Sequence, residues 1–233
     1  LIIWPESTIT TPIEYWAEGI ARIQHFVDQN NVELLIGTVR GSYTENRRWR
    51  FWNQALLFSP GHEFDLDQDP IDLSSLPSYN KTHLVPFGEW IPLGQYWPFY
   101  YIETMIEEAG AGIFEPGQSL TLFQSRKGVR FAVTICFEST IPALWRQAKT
   151  EGADFIVNLT NDAWYKKSVG LQQHFSQCVF RATENRLPVV RVANTGISGI
   201  ISPTGKTIST LPPFQATYGV FEIAIPLSTR ETN

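Results

Sequence analysis

The stretch "FAVTICFESTIPALWRQAKTEGADFIVNLTND", Phe131 to Asp162, decides the class of fold. Its first five residues are mostly apolar, rich in aromatic and β-branched types and too few for a helix, so they read as a buried strand that runs into Cys136. "IPALWRQAKTEGA", Ile141 to Ala153, follows with helical spacing and stops near Gly152. "DFIVNLTND" is then a second apolar strand with polar residues at its end. Upstream, "QSLTLFQSRKGVRFAVTICFE" contains two strands joined by a turn at Arg126 to Gly128.

The rest of the chain extends this alternation. "LIIW" and "VELLIGTVRG" (Val32 to Gly41) read as buried strands around a helix whose apolar positions are Ile13, Trp16, Ile20, Ile23, Phe26 and Val27. "FWNQALLFSPG" is a strand closed by a Pro-Gly turn, and the acidic segment "HEFDLDQDPIDLSS" is expected to be an exposed loop. "THLVPFGEWIPLGQYWPFYY" is too rich in Pro, Gly and aromatic rings for a helix and reads as a structured excursion, with a short helix at "YIETMIEEAG". A long helix is expected over Leu171 to Arg186, followed by strands at "LPVVRVAN", "SGIISPTGK" and "GVFEIAIPL". The pattern implies a single layered α/β domain with a mixed sheet, in which chemistry gathers where strands end.

Bulk composition narrows the function classes. The 233 residues are 43% hydrophobic and 18% charged, which is globular rather than disordered. A net charge of -5 and one short basic cluster, "NRRWR", offer no field for a phosphate backbone, so no nucleic-acid partner is expected. Two cysteines, Cys136 and Cys178, cannot build a disulfide framework and leave the redox compartment open. No apolar run approaches the roughly 18–20 residues of a membrane span, so the residues as given are expected to be soluble. The first residue is Leu1, inside a strand-like run, which leads us to expect a segment of a longer polypeptide.

A cysteine nucleophile needs a base for its proton and a donor for the oxyanion it creates. The four histidines (His25, His62, His83 and His174) show no spacing that singles one out as that base. A carboxylate and an amine are the other option, and three polar residues adjoin apolar segments: Glu6 after "LIIWP", Lys81 before "THLVPFGE", and Cys136 after "FAVTI". Each also has an ordinary reading: a solvated acid, an exposed lysine, an inert buried thiol. Arg181, Glu184 and Arg191 read as structural ion-pair partners, and Cys178 as helix packing.

The ordered motifs "WPES", "YNKTHLVPFGEWIPLG", "TICFE", "NLTNDAWY" and "QHFSQCVFRATENRLPVVRVANTGISGIISPTGK" resemble the carbon-nitrogen hydrolase (nitrilase) superfamily over nearly the whole chain. "HLVPFGEWIPL", "NDAW" and "NTGISGIISPTG" are most similar to the extracytoplasmic catalytic domain of the apolipoprotein N-acyltransferases. The resemblance implies a four-layer α-β-β-α sandwich that here lacks its first strand and helix. It implies a triad of Glu6 as general base, Lys81 as oxyanion-stabilising ammonium and Cys136 as nucleophile. Glu89 and Glu138 are implied as supporting acids, and Asn161 and Trp164 as residues ending a strand near the site or lining it. Phe137 stands where these enzymes usually carry tyrosine, so a hydroxyl is absent there. The implied reaction moves a phospholipid acyl chain through a thioester to the α-amine of an S-diacylglyceryl-cysteine apolipoprotein, without a metal or other cofactor. The implied setting is the periplasmic face of a bacterial inner membrane, reached through membrane segments outside this chain. The alternative implied by the same triad is a soluble amidase or nitrilase that passes the acyl group to water. Trp90 to Tyr101 could form a lipid-touching arm or fold onto the domain, and Lys166 with Lys167 could meet phosphate head groups or simply be solvated.

Overall fold

The computed structural model describes residues 1–43, 49–92 and 114–225. Most of the aromatic excursion, the helix expected at "YIETMIEEAG" and part of "NRRWR" lie outside the described residues. The chain divides into an N-terminal unit, Ile2 with Ser7–Ser119, and a C-terminal unit, Leu1 and Ile3–Glu6 with Leu120–Asn233.

The first five strands are β1 (Ile2–Ile3), β2 (Ile9–Pro12), β3 (Leu34–Tyr43), β4 (Trp49–Phe58) and β5 (Ser78–Asn80), all but Ile3 within the N-terminal unit. They form one sheet in the order β1-β3-β4-β5, with β2 also paired to β3. The antiparallel β3–β4 ladder runs from Leu34 opposite Phe58 to Tyr43 opposite Trp49. The buried half of that ladder holds Leu34, Leu35, Ile36, Ala55, Leu56, Leu57 and Phe58, each no more than 1% exposed. β1 is shorter and less buried than "LIIW" suggests, because only Ile2 and Ile3 are in strand conformation and both are half-buried.

Helix α1 (Ala17–Asn30) buries Ile20, Ile23 and Val27 and ends at Asn31, whose left-handed backbone caps it. Trp16 and Phe26, expected in the same apolar stripe, are exposed. Trp16 precedes the helix and lies over Gly19, where any Cβ would collide with the indole. Gln24 is buried instead, donating to Asp28 Oδ1 at 2.8 Å and Ser59 O at 3.0 Å. The acidic loop is also less solvated than expected: Ile71, Leu73 and Leu76 are buried, and Ile71 N donates to Glu14 O at 2.8 Å.

The C-terminal unit carries β6 (Leu122–Gln124), β7 (Arg130–Ile135), β8 (Phe155–Asn161), β9 (Val189–Asn194), β10 (Ser198–Ile201) and β11 (Thr207–Leu211). They form one sheet in the order β11-β10-β9-β8-β7-β6. β7, β8 and β9 run parallel, and the flanking strands pair antiparallel. Central parallel strands are covered on both faces, which is why "FAVTI" and "FIV" are mostly apolar runs without polar alternation. Helix α2 (Pro142–Thr150) contributes Leu144, Trp145 and Ala148 to the core. Helix α3 (Gly170–Asn185) contributes Leu171, Phe175, Cys178 and Ala182.

The strand expected at "GVFEIAIPL" is absent from its described part, residues 219–225. Val220 is 91% exposed there. Thr207–Leu211 pairs with β10 across the tight turn at Ser202–Lys206, a short-range hairpin with little loop-closure cost.

The parallel order puts the C-terminal ends of β7, β8 and β9 at one edge of the sheet. Trp145 is fully buried beneath that edge. Trp145→Ala should therefore lower stability by about 3–5 kcal/mol, measured as a fall in the urea midpoint.

Candidate active site

Cys136 is the first residue beyond β7, half-buried, outside any disulfide, with a left-handed backbone at φ 51°. That conformation costs an L-residue about 1–2 kcal/mol, so the surroundings must hold it. Several bonds do so. Residues Cys136–Thr140 form a 3-10 turn. Glu138, wholly buried, accepts from Ile135 N through Oε2 at 2.7 Å. Its carbonyl accepts from Trp145 Nε1 at 2.9 Å, and Thr140 Oγ1 donates to Phe137 O at 2.8 Å. Glu138 thus serves the main chain around the thiol, while the Phe137 ring is half-buried beside it.

Glu6 lies at the neighbouring strand end. It is 5% exposed and its Oε2 accepts a hydrogen bond from Asn161 N, the last residue of β8. Because Ile135 of β7 pairs with Leu159 of β8, Glu6 and Cys136 occupy adjacent parallel strand ends. Asn161 Oδ1 accepts from Ala163 N at 3.2 Å and starts the turn Asp162–Tyr165. Trp164, on that turn, is 83% exposed, so its ring is open to solvent rather than buried in the unit. Lys166 and Lys167 are exposed as well, and Lys167 Nζ lies 5.8 Å from the centroid of the Phe214 ring.

Beneath this edge is a buried polar cluster, of which the sequence had marked Arg191 as an ion-pair partner but not His174. Arg191 Nη2 donates to Asp162 Oδ2 at 2.9 Å, and neither side chain is exposed. Thr160 Oγ1 donates to Asp162 Oδ1 at 3.0 Å, and Arg191 Nη1 donates to Asn158 Oδ1 at 2.6 Å. His174, on α3, places Nδ1 2.8 Å from Asp162 Oδ1 and Nε2 3.2 Å from the carbonyl oxygen of Cys136. Burial pushes the Asp162 carboxyl up, but the hydrogen bond with His174 and the charge of Arg191 outweigh it and hold the group below its ordinary range. Burial, reinforced by electrostatic interaction with Cys136 and Asp162, raises the Tyr165 phenol, whose ring lies 5.4 Å from that of His174. Gly196 is required here, since a Cβ would strike the Asp162 carboxylate.

Arg181 pairs with Glu184 at 2.7 Å as the sequence suggested, whereas Arg191 pairs with Asp162. Cys178 is buried as expected, but it borders the cluster: Arg191 Nη1 lies 3.5 Å from its Sγ, and burial pushes its thiol up. The only signals for His174 were the "QH" pair and its place on a helix.

Lys81 and Glu89 belong to the N-terminal unit. Lys81 is 1% exposed, and its Nζ donates to Glu89 Oε1 at 2.7 Å. Asn53 Nδ2 donates to the same oxygen at 3.3 Å, and Val85 N donates to Oε2 at 2.8 Å. This burial sets Lys81 apart from an ordinary surface lysine. Among the described residues no three His, Cys, Asp or Glu side chains are grouped as metal ligands.

Residues 1–231 match the carbon-nitrogen hydrolase family. The apolipoprotein N-acyltransferase of Geobacter metallireducens is 35% identical over 92% of this chain and 38% of its own length. Apolipoprotein N-acyltransferase 1 of Treponema pallidum is 31% identical over 98% of this chain and 42% of its own. The chain thus spans about two fifths of the length of these curated relatives. Its fold is similar to the crystal structure of a carbon-nitrogen hydrolase from Helicobacter pylori, with a TM-score of 0.59 at 15% identity over 86% of this chain and 65% of that one.

Two expectations follow from the geometry. At neutral pH iodoacetamide should alkylate Cys136 and leave Cys178 unmodified, as read by peptide mass mapping; equal labelling would contradict the assignment. Asp162→Ala should lower stability by about 3–5 kcal/mol through the uncompensated Arg191 charge. Because the folded carboxyl lies below its unfolded value of about 3.9, the stability it contributes is complete above that pH and lost as pH falls through the folded value. The variant should therefore show a shallower decline in stability below about pH 4.

Proposed function

Because the chain belongs to the carbon-nitrogen hydrolase family, we propose that it catalyses acyl transfer through a thioester on Cys136, as the catalytic part of an apolipoprotein N-acyltransferase. The observation that carries this reading is a half-buried thiol held in a left-handed turn at the end of β7, with the buried Glu6 carboxylate at the adjacent end of β8. The names of the relatives supply the reaction type.

In the first half-reaction Glu6 takes the proton of Cys136 as sulfur attacks the ester carbonyl of a phospholipid. The tetrahedral oxyanion is stabilised by the Lys81 ammonium, which Glu89 keeps paired and oriented. Collapse breaks the ester C–O bond, Glu6 returns the proton to the leaving alkoxide, and a lysophospholipid departs. In the second half the α-amine of an S-diacylglyceryl-cysteine apolipoprotein attacks the thioester, Glu6 accepts the amine proton, and the thiolate is expelled and reprotonated. Asn161 fixes Glu6 through its main-chain N–H, and the open Trp164 ring is suited to an acyl chain at a wet boundary. The role of Lys81 rests on the motif and on its burial. From the likeness to the acyltransferases, we assign this part of the protein to the periplasmic face of the inner membrane, with membrane attachment through segments outside this chain. Among the described residues no helix is long and apolar enough to cross a membrane.

Incubation of the intact protein with phospholipid alone should add one acyl mass to Cys136, removable by hydroxylamine, and Cys136→Ala should gain none. Glu6→Gln and Lys81→Ala should lower turnover by roughly 10²-fold or more while leaving the folded structure in place. An intact protein without an adduct, or full turnover in either variant, would contradict the assignment.

A further inference from the structure

Cys136 departs from the strand in a conformation that an L-residue adopts at a cost, and its carbonyl oxygen is bonded by a side chain from a distant helix. A carbonyl oxygen only accepts, so His174 must carry hydrogen on Nε2 to make this contact. Its other nitrogen is bracketed by an acceptor, Asp162 Oδ1 at 2.8 Å, and a donor, Arg191 Nη2 at 3.1 Å. Asp162 is in turn fixed by Arg191 and Thr160. The imidazole is 4% exposed and the whole path from Arg191 to the Cys136 carbonyl is without solvent-exposed groups on Asp162 or Arg191. The ring therefore has one orientation, set from β9 and the turn after β8, and it delivers that orientation to the main chain of the nucleophile.

We infer that His174 is a positioning residue for Cys136: oriented by Asp162 and Arg191, it holds the Cys136 carbonyl through Nε2–H and so fixes the backbone on which the thiol is presented. The inference rests on the reading of Cys136 as nucleophile. His174 takes no proton from the thiol in this account; it acts through geometry, in the way that a displacement of about 1 Å at a reacting atom can cost on the order of 10²-fold in rate. A purely structural role, filling and satisfying the buried cluster, would act through Asp162 alone.

Two amide variants separate these roles. The terminal amide of glutamine reaches the position of imidazole Nε2 and can donate to the Cys136 carbonyl; that of asparagine reaches only the position of Nδ1, next to Asp162. His174→Gln and His174→Asn in the intact protein are compared for the single-turnover rate of acyl transfer from phosphatidylethanolamine to Cys136, for the rate of iodoacetamide alkylation of Cys136, and for the thermal midpoint. The expected result is that His174→Gln stays within about 5-fold of wild type in both rates while His174→Asn falls by roughly 10- to 100-fold, with both variants folded. Equal rates in the two variants, or a faster His174→Asn, would overturn the inference. Should the wild type take no acyl group while alkylation still separates the two variants, the choice of substrate fails and the positioning role stands.

Discussion

The ion pair between Arg191 and Asp162 is made wholly out of water, and the chemistry of the C-terminal unit is arranged around it. Burying two charges is unfavourable unless the pair is close and its remaining hydrogen-bonding groups are used. Here Asp162 also meets Thr160 and His174, and Arg191 also meets Asn158. The pair joins the middle of β9 to the turn that follows β8, and through His174 it reaches the residue that follows β7. The ends of β7 and β8 are thereby tied by side chains to the middle of β9, near where the β7–β8 ladder stops.

The same edge fits the opposite demands on the proposed nucleophile. A cysteine that is to form a thioester must be reachable, yet its main chain must not move. Cys136 is half-buried, while the groups that fix its turn, Glu138, Trp145 and His174, are at most 4% exposed. Glu138 illustrates the division. Read as an acid near a thiol, it invites a catalytic role, and its Oε2 is also bonded to Ile135 N, at the exit from β7.

Much of this could be read in the sequence, because the parallel strands need apolar side chains on both faces and display them as short runs without polar alternation. The hairpin turn at Arg126 to Gly128 and the helices after Ile141 and near Leu171 were local signals of the same kind. The likeness in fold to a protein only 15% identical shows that this pattern, rather than residue identity, is what the architecture requires. What could not be read was set by tertiary contact. Trp16 and Phe26 fit a helical stripe but are exposed, since Trp16 turns back over Gly19 and Gln24 takes a buried place. "GVFEIAIPL" had the composition of a strand, yet its described part is not one. His174 was marked only by the "QH" motif and not by any spacing that gave it a role, because its partners lie 12, 17 and 38 residues away. Glu6, Lys81 and Cys136 were found from motifs; the burial of Glu6 and Lys81 adds a physical reason to regard them as more than solvated charges.

The account stands or falls on where the acyl group goes after Cys136. Intact protein preloaded with a radiolabelled acyl chain, freed of phospholipid and then mixed with a diacylglyceryl-cysteine peptide, measures that directly. The account predicts that label leaves Cys136 and appears as an amide on the peptide amine, with little free fatty acid. Label that passes to water at the same rate with or without the peptide would contradict it and identify a hydrolase.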